Sequence, residues 1–150
     1  MKDMRQAIPI VGLLATSAIA LYMVVQLNGQ ARPAAGDFTK AATAEVRDAQ
    51  GQVVLLGQFV PVNEEDDDTE LKSTLQPTGV DADAAGEAEV EFAEAAPTNQ
   101  EIEFSVRNLQ AGVAFTFVID GVTVATATTD RRGHAEVEVD IPLPGTTASR

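Results

Sequence analysis

A period of two in the second half of the chain narrows the possible folds more than any other feature. Glu101-Ile102-Glu103-Phe104-Ser105-Val106-Arg107 alternates polar and apolar residues without a break. Val113, Phe115, Phe117 and Ile119 repeat the rhythm, as do Ala135, Val137, Val139 and Ile141, with Glu136, Glu138 and Asp140 set between them. Successive side chains on a strand point to opposite faces, so each run describes a strand with one buried face and one wet face.

The turns between the runs are chemically explicit. Asp120-Gly121 lies between two apolar, β-branched runs, and this pair tolerates the positive φ of a type I′ hairpin turn. Asp-x-x-Gly occurs at 48–51, 83–86 and 130–133. Asp at the first position and Gly at the fourth suit a type I turn. The segments that begin at the last two glycines also match: Gly86-Glu87-Ala88-Glu89-Val90-Glu91-Phe92 parallels Gly133-His134-Ala135-Glu136-Val137-Glu138-Val139. Thr43-Ala44-Glu45-Val46 is a partial third echo. Two or three copies suggest a repeated turn-and-strand unit, too few for a solenoid.

Propensity and pattern disagree over 83–96. Its Ala and Glu content favours a helix, whereas alternation of Ala88, Val90 and Phe92 favours a strand, as does the matching C-terminal block. The strand is the reading adopted. Strands are predicted over 53–60, 71–75, 86–92, 101–107, 113–119, 122–128 and 134–141. An eighth at 44–47 competes with a short helix over 40–49. The expected fold class is all-β: an antiparallel β-sandwich or open barrel of seven to eight short strands, preceded by one N-terminal transmembrane or signal helix.

That leading helix is expected because residues 6–31 carry no charge and 8–27 are predominantly apolar. Twenty helical residues span ~30 Å, the hydrocarbon thickness of a bilayer. Lys2 and Arg5 precede the stretch and the next basic residue is Arg32, which places Met1 inside and the remainder outside the cytoplasm. A signal-anchor and a signal peptide cleaved after Gly29-Gln30-Ala31 both fit, and the length of the apolar stretch favours the anchor. Gly12, Thr16 and Ala20 share one helical face, where small residues let two helices approach. With no Cys there is no lipidation site of the lipoprotein kind, no disulfide and no thiolate metal site. The expected organisation is a cytoplasmic segment 1–7, a spanning helix 8–27, an Ala/Pro/Gly linker 28–43, an acidic β-domain 44–143 and a tail 144–150. The expected location is the inner membrane with the domain on the extracytoplasmic side, or the periplasm or exterior after cleavage.

Charge excludes one large class of partner. The formal net charge is −13, and from residue 37 onward seven Lys/Arg stand against 22 Asp/Glu, a balance of −15. Such a surface repels phosphate backbones, so nucleic-acid binding is not expected. Catalytic signatures are also missing. There is no Gly-x-Ser-x-Gly and no phosphate loop, and the single His134 comes directly after Gly133 at an expected strand edge. The expectation is a protein that is not an enzyme and has no cofactor.

Carboxylates are the concentrated chemistry. Glu64, Glu65, Asp66, Asp67, Asp68 and Glu70 form one dense run. It lacks the Asp-x-Asp-x-Asp-Gly order of an EF-hand, and reads either as a solvated loop or as a weak, unselective Ca²⁺ site. A second set is ordered by strand period: Glu87, Glu89 and Glu91; Glu101 and Glu103; Glu136, Glu138 and Asp140. Side by side, these strands form either a wet face that resists aggregation or a docking face for a basic partner.

The stretch from Asp81 to Pro142 resembles exported bacterial β-rich envelope proteins of uncharacterised function. The residues that carry the resemblance are Asp-Ala-Ala-Gly-Glu-Ala-Glu-Val-Glu-Phe, Val-Arg-Asn-Leu-Gln-Ala-Gly, Ile-Asp-Gly-Val and Thr-Asp-Arg-Arg-Gly. The first block is also similar to CHRD domains, without their His-rich ending. The resemblance implies an exported β-fold and transfers no functional residue. The expected function is a membrane-tethered structural or protein-interaction module. The alternative is an exported cation- or ligand-binding domain using the acidic run at 64–70.

Overall fold

A computed structural model describes residues 35–63, 68–93 and 97–143. The expected N-terminal helix and the expected 144–150 tail lie outside the described residues. Within them the chain is all-β and antiparallel. Its strands are β1 Thr43–Arg47, β2 Val53–Gln58, β3 Val60–Asn63, β4 Asp68–Pro77, β5 Ala85–Ala93, β6 Asn99–Arg107, β7 Ala114–Ile119, β8 Val122–Thr128 and β9 Ala135–Pro142. They form one nearly closed, barrel-like sheet in the order β8-β7-β1-β2-β4-β5-β6-β9, with β3 paired to β4.

Alternation determines which side chains face inward. Ile102, Phe104 and Val106 of β6 are buried between exposed Glu101, Glu103 and Ser105. Phe104 and Phe117, from strands far apart in the sheet order, meet inside with ring centroids 5.1 Å apart. Residues 85–93 of the contested stretch form strand β5, and 44–47 lies in strand β1, so neither of these segments is helical. For both, burial of alternate side chains outweighs helix propensity.

The run expected as one strand over 53–60 is interrupted at Phe59. Leu56 pairs with Gln76 and Val60 with Lys72, so β2 and β3 keep one register along β4. The Phe59 N–H leaves that ladder and donates to the Ala42 carbonyl at 3.0 Å. Beyond this point β1 no longer covers the strand's other side.

Turn chemistry holds at two of three Asp-x-x-Gly sites. Gly51 donates to the Asp48 carbonyl and Gly133 to the Asp130 carbonyl, each with positive φ. The third site departs from expectation. Gly86 lies inside β5, and the turn is made two residues earlier, where Ala84 donates to the Asp81 carbonyl. Asp120 and Gly121 have φ of 47° and 81° and close the β7–β8 hairpin between Ile119 and Val122, as expected for a type I′ turn.

Asp120 has a further task. Its carboxylate accepts hydrogen bonds from the Ala42 and Thr43 amides and the Thr43 hydroxyl, fixing the entry to β1. Residues 35–42, assigned to the linker from the sequence, lie against the domain. Phe38 is buried in the core, its amide donates to Oε1 of the buried Gln100, and Gln100 Nε2 donates to the Gly36 carbonyl.

Candidate interaction face

Pairing register turns three acidic strands into an array. Along β4, β5, β6 and β9, one row reads Glu70, Glu91, Glu101, Asp140. The next reads Lys72, Glu89, Glu103, Glu138, and the third Thr74, Glu87, Ser105, Glu136. Neighbouring strands lie ~4.8 Å apart, so like charges stand directly opposite one another across the sheet. Nine carboxylates share this outer face. Arg107 sits at its margin opposite Ala85.

Lys72 is the one cation inside these described rows. Its Nζ lies 2.7 Å from Glu70 Oε1 and 3.5 Å from Glu89 Oε1. Hydrogen bonding to Glu70 raises the Lys72 pKa above the ordinary lysine value. Burial pushes Glu89 up against the opposing pull of Lys72. Glu101 is raised by burial first and then by Glu138, Asp140 and Glu91. Glu103 is raised by burial and then by Glu89, Glu136, Glu138 and Glu101. The array is therefore a surface under electrostatic stress at neutral pH, relieved by protons or by external positive charge.

One border of the face is apolar. Val60 and Val62 of β3 stand opposite Lys72 and Glu70, and Leu56 of β2 opposite Gln76. Val60 is 57% exposed and Leu56 44%.

The acidic run at 64–70 does not act as one loop. Glu64, Glu65, Asp66 and Asp67 lie outside the described residues. Asp68 begins β4 and pairs with Ala93, whereas Glu70 is a buried strand residue bonded to Lys72. Among the described residues, no three His or carboxylate groups converge as metal ligands. His134 is exposed just before β9, on an open cleft also lined by Arg107, Thr128, Asp130 and Glu136. The Asp130 carboxylate there is held by the Arg132 and His134 amides at 2.7 and 2.9 Å.

Two residues of the face and its support do not stand out in the sequence. Lys72 is one, although Glu70 and Lys72 at strand spacing share a face, and that is the available signal. Gln100 is the other. Its burial comes from alternation continuing one residue before the expected strand start.

The fold and the face together define an antiparallel, barrel-like β-domain whose charge is concentrated on one part of the sheet. No family model, curated protein or solved structure matches the chain.

Proposed function

We propose that this chain is a non-enzymatic, membrane-tethered interaction module that presents the acidic face of β4, β5, β6 and β9 to a basic protein partner outside the cytoplasm. The observation that carries the reading is the in-register alignment of carboxylate rows across four strands. Like-charge pairs across a sheet destabilise it. A partner that neutralises them recovers that loss on binding, so the face is better suited to a cationic surface than to water alone. The apolar border of Leu56, Val60 and Val62 supports a protein over bare cations, because protein interfaces combine an apolar patch with charged surroundings.

Polylysine is a suitable probe for the full chain. Glu89→Gln, Glu101→Gln and Glu103→Gln together remove three charges from the face, and Asp66→Asn, Asp67→Asn and Asp68→Asn remove three from the acidic run. The face variant is expected to lose most binding at low salt and the other to lose little. Equal losses would show that only net charge matters and would sink the reading. A melting temperature that rises with Ca²⁺, and no longer does so in the Asp66–Asp68 variant, would move function to the acidic run.

A further inference from the structure

Residues 36–41 enter the domain without joining its sheet; they lie in no strand. The turn holds its own shape. The Thr39 amide and hydroxyl donate to Asp37 Oδ1 at 3.1 and 2.7 Å, and the Ala41 amide donates to the Phe38 carbonyl at 2.9 Å. Among the described residues, one side chain bonds this segment to the strands. Gln100 Oε1 accepts from the Phe38 amide at 2.8 Å, and Gln100 Nε2 donates to the Gly36 carbonyl at 2.6 Å. Phe38 is 2% exposed and Gln100 1%. A separate attachment follows, where the Asp120 carboxylate holds Ala42 and Thr43, and β1 beyond it is paired on both sides. Release of 36–41 therefore breaks no ladder bond, and local opening ends at Asp120.

We propose that the recess holding Phe38 is a peptide-binding site at the entry end of the barrel, and that residues 36–41 are its resident, exchangeable occupant. The contacts of that occupant define what else fits. An aromatic ring fills the apolar recess. One buried amide reads the backbone on either side of it, accepting from the N–H of the aromatic residue and donating to the carbonyl two residues earlier. A Cβ on Gly36 would lie 2.7 Å from the Phe38 ring, so glycine suits the position two before the aromatic. The ligand class is thus a Gly-x-Phe peptide, held by main-chain bonds for affinity and by one side-chain pocket for specificity. Gln100 selects a peptide over an apolar small molecule. Once the segment leaves, its buried amide has lost both partners, and a ligand without a backbone restores neither. This site takes its residues from the chain entry and the start of β6, and it does not rest on the binding of a basic partner to the acidic face.

Two measurements on the full-length chain test the proposal. The first is native-state amide hydrogen exchange of the unaltered protein. The Phe38 and Ala41 amides are expected to exchange at least ~10-fold faster than the amide of Val46, which lies in β1 between two paired strands. The second uses a Phe38→Ala chain, in which the resident occupant has lost its ring. A capped peptide of sequence Ala-Gly-Asp-Phe-Thr-Lys-Ala, copied from residues 35–41, is expected to raise the melting temperature of this chain in a concentration-dependent way. The same peptide with Ala for Phe, or with an N-methyl group on the Phe amide, is expected to have no effect. The N-methyl peptide keeps the ring and removes the donor to Gln100, so it separates a built site from a greasy hole. If Phe38→Ala does not fold, Phe38→Leu takes its place in the same comparison. Exchange at Phe38 and Ala41 as slow as at Val46 would overturn the proposal. So would a folded variant that ignores the peptide, or one that responds equally to the N-methylated form.

Discussion

Gly51 and Gly133 occupy the same turn in two different surroundings. In each, an Asp three residues earlier accepts two amide bonds: Asp48 from Gln50 and Gln52, Asp130 from Arg132 and His134. Their φ angles are 79° and 75°, a region where a Cβ is disfavoured by about 1 kcal/mol. A Cβ on Gly51 meets nothing within 4 Å, whereas on Gly133 it strikes the Leu109 carbonyl oxygen. The Leu109 amide also donates to the Gly133 carbonyl, so the two segments cannot easily separate. Gly51→Ala is therefore expected to cost about 1 kcal/mol and Gly133→Ala about 3 kcal/mol or more, measured by urea unfolding. Equal losses would show that the 130–133 loop relaxes freely away from Leu109. The matching sequence motifs foretell the matching turns. They do not foretell the collision, because it depends on a residue 24 positions away in the chain.

Strands, rather than single residues, produce the stress on the acidic face, and pH should reveal it. A carboxyl whose pKa is higher folded than unfolded stabilises the fold below the unfolded value, and that contribution is lost as pH rises through the folded value. Glu89, Glu101 and Glu103 are such groups. Asp37 and Asp130 are the reverse. Asp37 is held down by the Thr39 hydroxyl and amide, and Asp130 by the His134 and Arg132 amides, so their contribution is lost as pH falls through ~4 and below. The melting temperature should thus rise from pH 7 to a maximum near pH ~4–5 and then fall. Glu103→Gln, which removes a charge from the middle of a row, should raise the melting temperature at pH 7 and flatten the rise. A melting temperature that declines steadily from pH 7 to pH 5 would show that the rows do not repel. Alternation makes each acidic strand readable from sequence, since the period of two is local. Alignment of the rows is not readable, because register is set by strand pairing, and between β6 and β9 that pairing joins residues far apart in the chain. Glu70 differs: its partner Lys72 is two residues along the same strand, a local spacing, and only its neighbours across the sheet, Val62 and Glu91, depend on register.

For the whole molecule, the proposed tether sets where the acidic face can act. The apolar stretch 8–27 and the cations before it predict a single crossing with the β-domain outside. Protease added from outside should digest the domain and spare a tag placed before Met4. A mature chain beginning at Arg32 would instead show a cleaved leader, and full-length protein in the soluble cytoplasmic fraction would remove the extracytoplasmic assignment altogether. The way the chain enters the fold bears on how the domain would carry a mechanical load. Tension applied ahead of residue 35 does not reach β1 directly. It falls first on the two hydrogen bonds of the Gln100 side chain and on the buried ring of Phe38, and only then on the carboxylate of Asp120 that holds Ala42 and Thr43. β1 lies inside the sheet between β7 and β2 rather than at an edge. The entry segment thus behaves as a strain relief for β1, like the clamp on a cable: a tug is taken up by side-chain contacts before it reaches the β1 ladder, and through Gln100 it is handed to β6, a strand of the acidic face.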